Sequence, residues 1–339
     1  MRRRLERLWY RDSAGAALLE PLGWLYGAAA AARREAYARG WTRARRVGAP
    51  VVIVGNLTVG GTGKTPLVIW LAAQLGAAHL KVGIVSRGYG RRGGGARSVH
   101  GDSDWREVGD EALILARRTG CATMVAADRV RAARSLVAGG AEVIIADDGL
   151  QHLRLARDCQ IVMIDGARGF GNGRLLPAGP LREPTARLAQ ADMVVVTGAP
   201  EHASLAAAGV PAGALEMRLE AHDAVRLDGG APPCALAAFR GRQAHAMAGI
   251  GNPQRFFAEL RSHGIEVIEH AFPDHHPFTA RELRFGDELA VLMTEKDAVK
   301  CAPFADPRLW YVPVSARFSE PDARALRTRV LEKVLAQGQ

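Results

Sequence analysis

The sequence predicts an α/β protein, with a parallel sheet covered by helices on both faces and then a smaller α/β domain. Three observations carry this. Short apolar, β-rich runs, "VVIV" (51–54), "KVGIVS" (81–86), "ATMVA" (122–126), "AEVIIADD" (141–148), "QIVMID" (160–165) and "ADMVVVTG" (191–198), alternate with helical stretches as buried parallel strands do. The glycine-rich stretch "TVGGTGKTP" (58–66) stands directly behind the first run. Beyond residue 235 the alternation resumes in "QAHAMAGI", "GIEVIEH", "ELAVLMTEKD" and "RLWYVPV". With 339 residues the chain can build two cores, and 48% hydrophobic against 24% charged residues excludes a disordered polymer. The expected division is a helical segment at 1–48, a P-loop NTPase-like domain at 49–210, a β linker at 211–234 and a smaller α/β lid domain at 235–339.

The N-terminal segment is set apart by charge. Residues 1–50 hold eleven arginines against four acidic residues, most of the chain's net +10, together with Trp9, Trp24, Trp41, Tyr10, Tyr26 and Tyr37. Arginine clusters bracketing "AGAALLEPLGWLYGAAAAA" predict an amphipathic helix pair on an anionic membrane surface, with the aromatics at headgroup depth. The alternative is an alanine-rich helix packed on the protein's own core. Glu20 and Pro21 interrupt the apolar stretch, which argues against a spanning helix. Glu6 and Asp12, with the cytosolic nucleotide that a phosphate loop requires, argue against a cleaved signal peptide. No stacking or groove-reading motif accompanies the arginines, so no nucleic-acid partner is expected, nor an obligate protein partner.

The stretch at 58–66 fits the phosphate-loop pattern G-x-x-x-x-G-K-[ST] at Gly63, Lys64 and Thr65, with Thr58 in place of the first glycine. Gly60, Gly61 and Gly63 let backbone N–H groups turn inward, and Pro66 suits the first turn of the helix "PLVIWLAAQL". Gly55, three residues earlier, is expected to serve the bend that Thr58 cannot. Thr58, Val59, Gly60, Gly61, Thr62, Gly63, Lys64 and Thr65 therefore read as an ATP cradle, Lys64 reaching the β- and γ-phosphates and Thr65 holding Mg²⁺.

Asp147 and Asp148 of "EVIIADDGLQH" end a buried strand on the edge where open α/β sheets place ligands, and a carboxylate there suits the Mg²⁺ that bridges β- and γ-phosphates. Which of the two touches the ion is open, and an acidic turn is the other reading. Arg87 of "SRGYGRR" matches a transferring phosphoryl group or an acceptor phosphate, or belongs to a solvated basic loop. The punctuated loop "GNGRLLPAGPLRE" (171–183) lies on the same sheet edge and is expected to bind something. By themselves Asp110 reads as a first-turn helix acid and His275 as an exposed loop histidine, with a catalytic role the alternative for each. "TEKDAVK" lies at a strand end like a base-reading loop. Residues 212–230 suggest a short antiparallel pair, and Cys121, Cys159, Cys234 and Cys301, without C-x-x-C spacing, read as reduced thiols.

Taken together, "VGNLTVGGTGKTP", "VSRGYG", "GDE", "DDGLQH", "GNGRLLPAGPLRE", "DHH" and "MTEKDAVKC" resemble, in this order and over nearly the whole chain, the tetraacyldisaccharide 4'-kinase family of lipid A biosynthesis. The resemblance implies a monotopic enzyme on the cytoplasmic face of the inner membrane. Its reaction would be transfer of the γ-phosphoryl of ATP, with Mg²⁺, to the 4'-hydroxyl of a membrane-embedded tetraacyldisaccharide 1-phosphate, giving lipid IVA. The family's loop resembles T-x-G-G-x-G-K-T, which accounts for Thr58. By resemblance Asp110 and His275 form an acid–base pair beside Lys64, Glu183 joins Thr65, Asp147 and Asp148 at the metal, and Arg87, Gln151, His152, Asn172 and Arg182 face the lipid substrate. The pair is expected to meet only when the second domain closes, with the Asp110 pKa lifted by the imidazole. A P-loop switch or partitioning ATPase at the membrane is the rival class, and "DDGLQH" and residues 171–183 have no place in it.

Overall fold

The structure, a computed structural model, describes residues 8–10, 14–304 and 306–336. Its fourteen named strands fall into two sheets. They are β1 (Val51–Asn56), β2 (Val82–Ser86), β3 (Arg97–Val99), β4 (Ala122–Val125), β5 (Val143–Asp147), β6 (Cys159–Asp165), β7 (Met193–Thr197), β8 (Leu215–Ala221), β9 (Val225–Arg226), β10 (Gln243–Ala248), β11 (Glu266–Ala271), β12 (Ala290–Thr294), β13 (Leu309–Val312) and β14 (Val314–Phe318). The principal helices are α1 (Glu20–Ala38), α2 (Lys64–Ala77), α3 (Asp110–Thr119), α4 (Arg129–Ala138), α5 (Pro253–Ser262), α6 (Glu295–Cys301) and α7 (Glu320–Leu335).

The large sheet has the order β14-β8-β7-β6-β1-β5-β2-β4-β3, parallel except for its two edge strands. All six residues of β1 and all five of β5 are buried, as unbroken apolar runs must be when helices cover both faces. On one face α4 closes a core with Ile53, Ile144 and Val162; on the other α2 and α7 close a core with Val52, Val54 and Ile145. β1 sits between β5 and β6, so the chain leaves it first to one side and later to the other, and a crevice opens at the carboxyl ends of these strands. The second sheet, β11-β10-β12-β13-β9, is parallel except for β9 and packs around Phe257, Leu260 and Leu292.

Two expectations about the domains meet a different chain path. The antiparallel pair expected within 212–230 does not form: β8 joins the large sheet between β7 and β14, while β9 edges the second sheet. The cause is apolar, since Leu215 and Met217 are buried in the large core and could not be satisfied in an isolated two-stranded ribbon. Nor does the chain end in the second domain. Leu326, Val330 and Val334 form a single apolar stripe on α7 that is buried against the large sheet, so β14 and α7 return to the first domain.

The N-terminal segment uses its two faces differently. Gly23 and Gly27 bring α1 against the loop that follows β6; a Cβ on Gly23 would stand 3.2 Å from the Leu175 carbonyl oxygen. Trp9 Nε1 donates to Pro177 O at 2.9 Å, and Tyr26 Oη to Arg182 O at 3.1 Å. On the other side Leu18, Leu22, Trp24 and Leu25 are exposed, Trp24 by 67%. Among the described residues no helix is long and apolar enough to cross a membrane.

Candidate active site

The phosphate loop is built as its glycines require. Gly60 and Gly63 take φ of +119° and +81°, values that ordinary side chains resist, and Gly63 leads directly into α2. The loop is held from below, because Val59 N donates to Pro180 O at 2.8 Å and Thr197 Oγ1 donates to Thr62 O at 2.8 Å. Thr58 is buried and bridges to Leu181, which ties the start of the loop to the segment that follows β6. Thr65 is the second residue of α2, at its amide-rich end.

Lys64 Nζ lies 3.2 Å from Asn56 Oδ1 and 3.4 Å from Asp148 Oδ1. Arg182 forks onto Asp148 at 3.0 and 3.1 Å and also donates to Asn56 Oδ1. These cations, Lys64 first, outweigh burial and hold the Asp148 carboxyl far below the usual range. Asp148 adopts φ of +48°, a strained conformation for a residue with a Cβ, and the Arg129 guanidinium holds its carbonyl at 3.0 Å.

Asp147 has the opposite environment. Its Oδ2 accepts from Ser86 Oγ at 3.0 Å, while its buried Oδ1 has no partner. Burial, and then the neighbouring Glu111, push its carboxyl up to about 7. An unpartnered buried carboxylate oxygen at the end of the strand that pairs with β1 fits a hard divalent cation. Glu183, expected at the metal, stands apart. It accepts from Gln151 Nε2 at 2.9 Å and is neutralised by Arg187 at 3.4 Å and Arg34 at 3.6 Å. Among the described residues no three of His, Cys, Asp and Glu cluster around a metal position, so Asp147, Asp148 and Glu183 do not form a preassembled ligand cluster.

Asp110, at the start of α3, meets His275 across the seam between the domains, with Nδ1 at 2.9 Å from Oδ2 and 3.1 Å from Oδ1. His275 is placed by a left-handed backbone, φ +62°, and its own N–H donates to Gly249 O at 3.2 Å. Lys296 Nζ stands 3.3 Å from His275 Nε2, 2.9 Å from Glu111 and 3.0 Å from Asp274. Buried Lys300 stands 2.8 Å from Asp297 and 3.9 Å from Asp110. The expected rise in the Asp110 pKa is not found. Burial alone would raise it, but Lys296, the His275 hydrogen bond and Lys300 together bring it down to about 2. An ionised Asp110 can only accept, so Nδ1 carries the imidazole proton and Nε2 is the basic nitrogen. The pair is already assembled here, without any further closure.

The other expected residues are placed as follows. Arg87 is exposed just beyond β2, and Gln151 donates to Asn56 O and Glu183. His152 is half-buried; burial and then Arg129 bring its pKa down to about 4. Asn172 donates to Ala178 O at 2.9 Å and to Leu8 O of the N-terminal segment at 3.4 Å, and accepts from Arg174 N at 3.1 Å. Sequence reasoning missed Asn56, Ser86 and Lys296. A polar residue ending an apolar strand beside the loop was the available signal for the first two. "TEKDAVK" was read as facing a base, whereas its Lys296 faces the Asp110–His275 pair.

Because the folded pKa of Asp147 lies above its ordinary 3.8, this group stabilises the metal-free fold below about pH 4, and that contribution is lost as pH rises through about 7. Asp147→Asn is therefore expected to melt above the wild type at pH 8 without Mg²⁺ and close to it at pH 5, with Mg²⁺ raising the wild-type curve only. Thermal melts at both pH values decide this; a variant that melts lower at pH 8 would contradict it.

The comparisons with known proteins agree with this geometry. Residues 15–335 match the family model described as tetraacyldisaccharide-1-P 4'-kinase. The chain is 53% identical over 308 residues to a tetraacyldisaccharide 4'-kinase of Alkalilimnicola ehrlichii, covering 90% of this chain and 89% of that protein. It is 50% identical over 314 residues to the protein of the same name from Xanthomonas euvesicatoria, covering 91% and 90%. The crystal structure of LpxK from Aquifex aeolicus in complex with ATP superposes with a TM-score of 0.74 at 28% identity, over 94% of this chain and 99% of that one. Matched by the family model over residues 15–335 and by relatives about half identical over nine-tenths of its length, this chain belongs to the tetraacyldisaccharide-1-P 4'-kinase family.

Proposed function

We propose that the protein transfers the γ-phosphoryl of ATP to the 4'-hydroxyl of a tetraacyldisaccharide 1-phosphate, giving the 1,4'-bisphosphate of the lipid A route. The observation that carries this is the 2.9 Å contact of His275 with Asp110, which joins the second domain to the domain that holds the phosphate loop. A sugar hydroxyl is scarcely ionised at neutral pH and needs a proton acceptor as it attacks. The hydroxyl oxygen bonds to Pγ, the bond from Pγ to the β-bridging oxygen breaks, and the hydroxyl proton passes to the Asp110–His275 pair. Lys64 leaves Asp148 for the phosphate oxygens, where its charge offsets the negative charge of the triphosphate. Asp147 and Thr65 would hold Mg²⁺, which supplies further neutralisation of the β- and γ-oxygens. Arg87, exposed at the crevice, and Gln151 with His152 on the "DDGLQH" turn border the approach of the acceptor.

The exposed side of α1 suits a substrate that stays in the bilayer. Leu22 and Leu25 recur at helical spacing beside Trp24, with Leu18 just before the helix, while Arg33 on it and Arg39 just beyond it are exposed cations. Peripheral docking there, on the cytoplasmic face of the inner membrane, brings the crevice to the lipid headgroup plane, since the helix's other side holds the loop that ends in Arg182 and Glu183.

Incubation with radiolabelled ATP and the lipid disaccharide, resolved by thin-layer chromatography, tests the reaction. Lys64→Ala and Thr65→Ala are each expected to lower kcat by about a hundredfold or more with unchanged melting curves, because preorganised charge and metal ligation act at the phosphoryl transition state. Near-normal turnover in either would contradict the assignment. Leu22→Glu combined with Leu25→Glu is expected to release the protein from anionic vesicles in co-sedimentation while ATP binding is retained. Equal vesicle binding would place the docking surface elsewhere.

A further inference from the structure

Arg168 lies in the turn after β6 and is absent from the roles assigned above. Its Nη1 donates to the carbonyl oxygen of Gly251, in the second domain, at 2.6 Å. Gly251 is pressed onto the phosphate loop so closely that a Cβ on it would stand 2.4 Å from Gly61 N. A Cβ on Gly60 would stand 3.3 Å from the same Nη1, so the guanidinium borders the loop itself. Gly60 lies four residues before Lys64 in the same glycine-rich loop, whose backbone the phosphates of a cradled nucleotide approach.

The mounting is rigid and the charge is available. Asp165 Oδ1 accepts from the backbone N–H of Ala167 and of Arg168 at 3.1 and 3.2 Å, and Asp165 Oδ2 takes Arg255 at 3.4 Å. The Tyr10 ring lies under the guanidinium, 4.1 Å from Cζ, and steers its plane. Arg182 is paired with Asp148 and Arg255 with Asp165, whereas among the described residues no carboxylate pairs with Arg168. A guanidinium has five N–H donors, and Gly251 takes one.

We propose that Arg168 is a catalytic arginine supplied by the chain itself, whose free donors bind the γ-phosphoryl oxygens as the bond to the β-bridging oxygen breaks, while Nη1 keeps the second domain latched over the loop. This rests on the phosphoryl-transfer reading of the site. Charge that develops on those oxygens and on the leaving ADP is met by the planar guanidinium fork, and the acceptor proton goes to the Asp110–His275 pair as before. One side chain thereby ties the docked second domain, and with it His275, to the phosphate in transfer.

The test compares full-length wild type with Arg168→Ala, Arg168→Lys and, as a control for weakened domain docking, Arg118→Ala, which removes the 2.8 Å Arg118–Glu295 pair between the domains yet leaves the guanidinium and the phosphate loop untouched. Binding of a non-hydrolysable ATP analogue and of ADP with aluminium fluoride, both without lipid, is measured by calorimetry beside kcat and melting temperature. Arg168→Ala is expected to lose about a hundredfold or more in kcat. It should keep ATP-analogue affinity, lose the preference for ADP with aluminium fluoride, and recover part of its rate in added guanidinium. Arg168→Lys should stay slow, and Arg118→Ala should keep the analogue preference. A wild-type rate in Arg168→Ala, a retained preference for ADP with aluminium fluoride, or restoration by Arg168→Lys would overturn the proposal and leave a latch. Since the analogue measurements need no acceptor, a failure of the lipid assignment would show separately, as wild-type protein that binds the analogues and phosphorylates no lipid.

Discussion

Burial of Asp110 as an ion is the constraint on which the arrangement depends. A carboxylate only 3% exposed at a domain edge is costly unless its charge is met, and every cation near it, His275 when protonated, Lys296 and Lys300, comes from the second domain. The second domain is thus required electrostatically as well as sterically. Its attachment follows from the same residues: Asp297 takes Lys300 on one oxygen and Gly249 N on the other, so α6 fixes the loop that presses Gly251 onto Gly61. On the far flank Arg118 pairs with Glu295 at 2.8 Å, and the seam is closed on both sides of the crevice.

The two strand-end aspartates illustrate how one dipeptide serves two purposes through its surroundings. Asp148 is surrounded by Lys64, Arg182 and Arg129 and stays charged; Asp147 faces Ser86 and inward, with Glu111 near, and is pushed towards neutrality. The first keeps the loop lysine in place and the second leaves an oxygen without a partner. On the proposed reading, triphosphate binding would change both balances together, because Lys64 would turn to the phosphates and a bound cation would lower the cost of ionising Asp147.

Most of the large sheet was legible because its signals are local: unbroken apolar runs, a glycine loop behind β1 and acids at the end of β5. What local pattern could not show was partnership across the chain. Leu215 and Met217 look like half of a hairpin until the core they enter is known, and α7 looks like the tail of the second domain until Leu326, Val330 and Val334 find the large sheet. The same limit governed the site. Glu183 reads as a metal ligand from its motif, but Arg34 and Arg187, 149 positions before it and four after, neutralise it. Asp110 and His275 were paired through a family resemblance, while their environment, which lowers rather than lifts the Asp110 pKa, depends on Lys296 and Lys300 reaching the seam.

The central claim is that Asp110 and His275 act as one unit across two domains. A double-mutant cycle on kcat for lipid phosphorylation, with Asp110→Asn, His275→Gln and the combination, tests it most directly. The account predicts that each single change lowers kcat strongly, that ATP-analogue binding is retained, and that the double variant is scarcely slower than either single one, as for groups that share one proton transfer. Losses that multiply in the double variant would show two independent roles and contradict the unit.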